Sequence, residues 1–239
     1  MYKAAIFDMD GTILNTIGDI TDSLNYALGK LGYKDDFTDE LVTEFVGSGI
    51  NIEIKRCIAY QKGLSKEDLI LVGTENDPAD KLVSDEEIER VKEVLEPYYA
   101  KHCNDKTGPY DGILELLSKL RELGIVTVVV SNKPDAAVQT LSEEVFTGLF
   151  DLSVGEQPGI RRKPAPDMTD HVLEKLGLKP EEAVYIGDSE IDIETGENAG
   201  MDCILVAWGF RGEKFLREHG AGIIVREPSE ILGYFREKS

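Results

Sequence analysis

The spacing of apolar residues changes period twice along this chain. Ala4-Ala5-Ile6-Phe7 is a continuous apolar run that stops abruptly at Asp8 and Asp10, and it reads as one buried strand. For about ninety residues after that the period is helical, near 3.6. Ile17, Ile20, Leu24, Ala27, Leu28 and Leu31 lie on one helical face, which Gly32 closes. Further helices are expected from near Thr38, over Asn51 to Gln61, at Ser65, and from a Ser84-Asp85-Glu86-Glu87 capping box to about Lys101. Gly73 to Asp80 is polar and reads as a loop.

From Tyr110 onward the pattern alternates. Helices are predicted over 112–123, 134–145, 167–176, 190–199, 213–219 and 228–236. Between them lie short Val- and Ile-rich runs, Ile125 to Val130, Phe150 to Val154, Ala183 to Ile186, Cys203 to Val206 and Gly222 to Val225. Continuous apolar strands separated by helices mean a parallel sheet covered on both faces. The fold expected is therefore α/β, a doubly wound parallel sheet with a Rossmann-like core, carrying an inserted all-helical domain. The core takes residues 1–14 and 108–239, and the helical insertion takes 15–107.

Composition narrows the partners. With 239 residues, 41% of them apolar, and a net charge of −20, the chain has no basic face for nucleic acid or an anionic membrane. A small anionic substrate is still compatible, provided that a metal and a few lysines make a local positive pocket. Cys57, Cys103 and Cys203 are far apart and form no CxxC, so they read as free thiols. The first residues resemble neither a signal peptide nor a membrane anchor, and a cytoplasmic location is expected. Oligomeric state leaves no trace in the sequence.

In a parallel sheet, ligands bind beyond the carboxyl ends of the strands. Asp8 and Asp10 follow the first strand at i and i+2, so a continuing pleat puts both on one face, where a divalent cation would offset their repulsion. Gly11 permits a tight turn, and Thr12 offers a hydroxyl and an N–H to an anion. Other strand ends bring Ser131, Asn132 and Lys133, then Lys163 from Arg161-Arg162-Lys163-Pro164, then Asp188 and Asp192 from Gly187-Asp188-Ser189-Glu190-Ile191-Asp192. Asp8, Asp10, Asp188 and Asp192 are expected to converge without a lysine among them. Such an inventory suits phosphoryl transfer, in which Mg2+ takes oxygen ligands and a carboxylate can attack phosphorus. Lys133 either reaches substrate or pairs with a surface acid. Gly47-Ser48-Gly49 opens a helix, with Arg56 two turns on; it is either a flexible turn beside a surface arginine or an anion subsite.

Asp8-Met9-Asp10-Gly11-Thr12, Ser131-Asn132, Lys163-Pro164 and Gly187-Asp188-Ser189-x-x-Asp192 resemble, in order, the four motifs of the haloacid dehalogenase-like hydrolase superfamily. The helical block resembles that superfamily's helical cap. The resemblance implies Asp8 as nucleophile and Asp10 as general acid and base. Thr12, Ser131, Asn132 and Lys163 would bind phosphate. Mg2+ would sit on Asp8, the main-chain carbonyl of Asp10 and Asp188, with Asp192 close behind. The presence of Asp10 favours phosphate over halide chemistry, because members that displace halide lack it. Ser131-Asn132-Lys133 looks most like phosphoglycolate phosphatases, so the expected substrate is a small phosphorylated metabolite, 2-phosphoglycolate first. Gly47, Ser48, Gly49 and Arg56 would then receive its carboxylate. Asn15-Thr16 departs from the Asp-Ser or Asp-Thr of many relatives. A sugar-phosphate mutase, a pyrophosphatase or a phospho-accepting receiver module are the competing functions.

Overall fold

The structure, a computed structural model, describes residues 2–235. Two compact units divide the chain, one combining residues up to Asn15 with those from Gly108 on, the other spanning Thr16–Thr107. The first unit begins with β1 (Ala4–Phe7), fully buried, and the two-residue β2 (Leu14–Asn15).

The inserted unit is helical throughout: α1 (Ile17–Lys30), α2 (Asp39–Val42), α3 (Ile50–Gln61) and α4 (Asp85–His102). At the start of α4 the Ser84 hydroxyl accepts from the Glu87 N–H, and Glu87 accepts from the Ser84 N–H, which is the capping box read from the sequence. Asp19 joins the two ends of this unit. Its buried carboxylate accepts from the N–H groups of Lys106 (3.0 Å) and Thr107 (2.8 Å) and from the Thr107 hydroxyl (2.7 Å). Where a helix is expected at Ser65, the chain makes only a 3-10 turn over Leu69–Leu71.

The chain returns through β3 (Gly108–Pro109), which pairs antiparallel with β2. Two-residue strands carry no periodicity, so this pair was invisible in the sequence. Then follow α5 (Ile113–Glu122), β4 (Val126–Pro134), α6 (Asp135–Glu144), β5 (Leu152–Glu156), α7 (Asp167–Leu176), β6 (Ala183–Gly187) and α8 (Glu190–Ala199). The chain continues with β7 (Asp202–Val206), α9 (Gly212–Glu218), β8 (Ile223–Val225) and α10 (Pro228–Ile231). The helix expected over 228–236 is one α-turn followed by a 3-10 turn, Leu232–Tyr234, and residue 236 lies outside the described residues.

Six strands form one parallel sheet in the order β5-β4-β1-β6-β7-β8. Its order reverses at β1, the strand that bears Asp8, and such a switch point is where ligands bind in open α/β sheets. Phe7 pairs in register with Val129 of β4 and Ile186 of β6, so the residues that follow these three positions come off neighbouring strands side by side. One face of the sheet, including Ile6, Val128, Val130 and Tyr185, buries against Met168, Val172 and Leu173 of α7. Burial on that scale, at about 25 cal/mol per Å² of apolar surface, fixes the strand ends that carry the chemistry. Among the described residues no helix is long and apolar enough to cross a membrane.

Candidate active site

Past Phe7 the chain turns sharply, with the Met9 carbonyl accepting from the N–H groups of Thr12, Ile13 and Leu14. Gly11 is left-handed at φ 81°, and a Cβ there would collide with the Asp188 carboxylate. A side chain at Gly187 would collide in the same way with Asp192. Both glycines are therefore required by how closely the acids approach the backbone.

Asp8 is 8% exposed, and its N–H donates to the Ile186 carbonyl. Lys163 Nζ lies 2.9 Å from Asp8 Oδ1 and 2.8 Å from Asp192 Oδ1, and it donates to the Tyr185 hydroxyl at 2.9 Å. Tyr185 in turn donates to the Val130 carbonyl at 3.2 Å. All three ammonium protons thus have partners. Burial works against the Lys163 charge, but Asp192 and Asp8 outweigh it and hold the group well above the ordinary lysine value. Burial pushes the Asp8 carboxyl from 3.8 up to about 7, with Lys163 opposing and Asp192 and Asp10 adding to the rise. Asp188 is also driven well above the carboxylate range, by burial first and then by Asp192 and Asp8.

Among the described residues, carboxylate oxygens of Asp8, Asp188 and Asp192 lie within 4.8 Å of one another. Asp188 is held by the Thr12 hydroxyl (3.2 Å) and the Phe210 N–H (2.7 Å). Asp192 Oδ2 accepts from the N–H groups of Asp188 and Ser189 and from the Ser189 hydroxyl, a capping box at the start of α8. Three buried carboxylates face a single ammonium, and the donor set is oxygen alone. Those residues fit a hard divalent cation, which Asp8 and Asp188 would hold.

Asp192 stands in the carboxylate group as expected, and in addition its oxygens accept from Lys163 and from the α8 cap, which fix its orientation. Several sequence expectations need correction. Thr12 is not open to phosphate, since its hydroxyl holds Asp188 and its N–H closes the turn on Met9. Asn132 grips the backbone of Lys163 from both sides, donating to its carbonyl (3.0 Å) and accepting from its N–H (2.8 Å). That grip positions the lysine. Ser131 lies at the end of the β4 core, 2% exposed, and its hydroxyl accepts from the Lys133 N–H at 3.3 Å.

The carboxylates also do not converge without lysine. Besides Lys163, Lys133 Nζ sits 2.7 Å and 3.0 Å from the two oxygens of Asp10, with its side chain 3% exposed. Asp10 thus has its own ammonium partner, separate from the one that Asp8 and Asp192 share. Sequence reasoning missed Tyr185 altogether. A tyrosine in an otherwise aliphatic strand was the available signal, because a buried phenol needs a partner.

In the helical unit, Gly49 precedes α3 at φ 86°, as the sequence suggested, but the Gly47 N–H already donates to Glu53 Oε1 of the same helix. Ser48 is 9% exposed. Arg56 is no surface residue and no substrate arm. It is 3% exposed, and its guanidinium donates to the carbonyls of Leu69 (3.0 Å), Phe45 (2.9 Å) and Val72 (3.4 Å). It ties the backbone at Phe45, Leu69 and Val72 to α3. Arg56→Ala is expected to destabilise the protein by about 2–4 kcal/mol, through orphaned carbonyls and lost packing. Its effects on charged and neutral substrates should be equal. Thermal unfolding with parallel kinetics checks this, and an unchanged Tm with a KM effect confined to a carboxylate-bearing ester would restore the subsite.

The motifs, their strand-end placement and the cluster of buried carboxylates are those of a hydrolase, and the family model of the haloacid dehalogenase-like hydrolases matches residues 5–206. The chain belongs to that family and is a phosphatase of it. It is 31% identical over 212 residues to the phosphoglycolate phosphatase of Mannheimia succiniciproducens, covering 87% of each chain. It is 28% identical over 235 residues to the N-acetylmuramic acid 6-phosphate phosphatase of Pseudomonas aeruginosa, covering 96% and 93%. A solved structure from Lactobacillus delbrueckii subsp. bulgaricus superimposes with a TM-score of 0.95 at 50% identity over 99% of both chains.

Proposed function

We propose that this chain hydrolyses a small phosphomonoester, 2-phosphoglycolate by preference, through a phosphoryl group carried on Asp8. The observation that carries the reading is the division of labour at the end of β1. Asp8 and Asp10 are two residues apart, yet each is held by a different ammonium, Lys163 and Lys133. Groups with different tasks need different surroundings.

In the first step an Asp8 oxygen attacks phosphorus, the bond to the leaving oxygen breaks, and Asp10 gives that oxygen a proton. In the second, Asp10 takes a proton from a water that attacks the same phosphorus. Asp8 is then regenerated and inorganic phosphate leaves. When Asp8 becomes an acyl phosphate its charge passes to the phosphoryl oxygens, and Lys163, already beside it, follows that charge. The Ser131 hydroxyl at the neighbouring strand end would donate to the same oxygens. Asp8 and Asp188 would hold Mg2+, which would neutralise charge on the phosphoryl group. The phosphoglycolate phosphatases among the relatives support the substrate.

Phosphate release from a panel of small phosphomonoesters is the test. We expect many turnovers per chain, the highest kcat/KM with 2-phosphoglycolate, loss of activity on chelation, and recovery with Mg2+. Release of one phosphate per chain would mean a phospho-accepting module instead, and full activity after exhaustive chelation would remove the metal from the account.

A further inference from the structure

We propose that Lys133 is a specificity-determining residue, its ammonium receiving an anionic group that the substrate carries one carbon beyond its ester oxygen. The inference deepens the phosphatase reading above and rests on its assignment of Asp10 to the leaving oxygen.

Lys133 follows the apolar run of β4, and its ammonium meets both oxygens of the Asp10 carboxylate. Replacing a buried ion pair by apolar residues is often neutral or stabilising, so stability alone is a weak reason for a lysine at this depth. Position gives a stronger one. Whatever oxygen Asp10 protonates lies within hydrogen-bond reach of Asp10, and Asp10 lies within hydrogen-bond reach of Lys133. The ammonium is therefore one carboxylate's width from the leaving oxygen. A carboxylate joined to that oxygen through a single methylene falls within its reach, whereas a neutral leaving group offers it nothing. An ammonium has three protons, so it can bridge Asp10 and a substrate carboxylate together.

Lys163 bonds Asp8, Asp192 and Tyr185, and Arg211 pairs with Glu190 at 2.9 Å. Arg56, the earlier candidate for a carboxylate, is bonded to carbonyls within the helical unit. On a chain of net charge −20, a second anionic group on the substrate needs a dedicated cation, and Lys133 is placed to be it.

Steady-state kinetics of wild type, Lys133→Met and Lys133→Arg with 2-phosphoglycolate and ethyl phosphate test the proposal. For Lys133→Met we expect KM for 2-phosphoglycolate to rise roughly ten- to hundredfold, the range of a charged hydrogen bond, with a much smaller change for ethyl phosphate. Lys133→Arg should recover most of the selectivity. Equal losses on both esters would overturn the proposal and leave Lys133 as a residue that only holds Asp10. A second measurement keeps the test open should Lys133→Met fail to fold. Calorimetric binding of 3-phosphonopropionate and propylphosphonate to the wild type with Mg2+ should favour the carboxylate-bearing ligand at least roughly tenfold; equal affinities would overturn the proposal. If the wild type hydrolyses neither ester, the phosphatase reading falls and this inference with it; if it hydrolyses both without preference, only this inference falls.

Discussion

Asp8→Asn is expected to lower kcat by about a thousandfold or more while leaving the fold intact. The amide is nearly isosteric with the carboxyl, but it has no anionic oxygen with which to attack phosphorus. A folded variant that kept more than about a tenth of wild-type kcat would end the assignment of Asp8 as nucleophile. The same variant carries a pH signature. Burial raises the Asp8 carboxyl from 3.8 to about 7, so the folded state binds this proton more readily than the unfolded state does. The sign follows from linkage: with divalent cations chelated, stability falls as pH rises from 3.8 through about 7, and above that range the ionised group is a standing cost. The Asp8→Asn variant should lose that part of the dependence. In chelator at pH 8, its Tm should therefore be no lower than the wild type's. Thermal unfolding across the pH range measures both.

Lys163→Met is expected to damage stability and activity together. The ammonium is the shared partner of Asp8, Asp192 and Tyr185, and its side chain is 2% exposed. Removing it leaves buried carboxylates facing one another without a cation. Breaking a buried pair in this way costs about 3–5 kcal/mol, which for a chain of this length lowers Tm by roughly 6–20 °C. Turnover should fall with it, because the same lysine positions Asp8. Mg2+ should recover part of the lost Tm, since a cation held by Asp8 and Asp188 replaces some of the missing charge. A Tm within about 1 °C of wild type would show that the cluster does not depend on Lys163.

The sheet and its order of helices were legible because β1, β4 and β6 are continuous apolar runs and the helices between them keep a 3.6 period. Asp8 and Asp188 were legible for a related reason: charge placed directly after a buried strand is costly unless it is used. Direction was not legible. Sequence spacing could not show that the Asp10 carboxylate meets Lys133, an ion pair between residues 123 apart in the chain. Asp192 sits three residues after Ser189, so the capping box it forms at the start of α8 was readable locally, whereas its contact with Lys163 was not. Arg56 shows the limit most clearly. An arginine on an amphipathic helix looks solvated by default, and only the folded loops over Phe45, Leu69 and Val72 supply the carbonyls that bury it.

The central claim is that the phosphoryl group passes through Asp8, and chemical trapping tests it most directly. Wild-type protein turning over 2-phosphoglycolate with Mg2+ is quenched in acid within its first turnovers, and its peptides are then weighed by mass spectrometry. The account predicts a single phosphoryl group on the peptide containing Asp8, stable in acid, lost in mild base, and absent from Asp8→Asn. A base-stable phosphoryl group on Thr12 or Ser131, or sustained turnover with no phosphoryl group on Asp8 at any quench time, would contradict it.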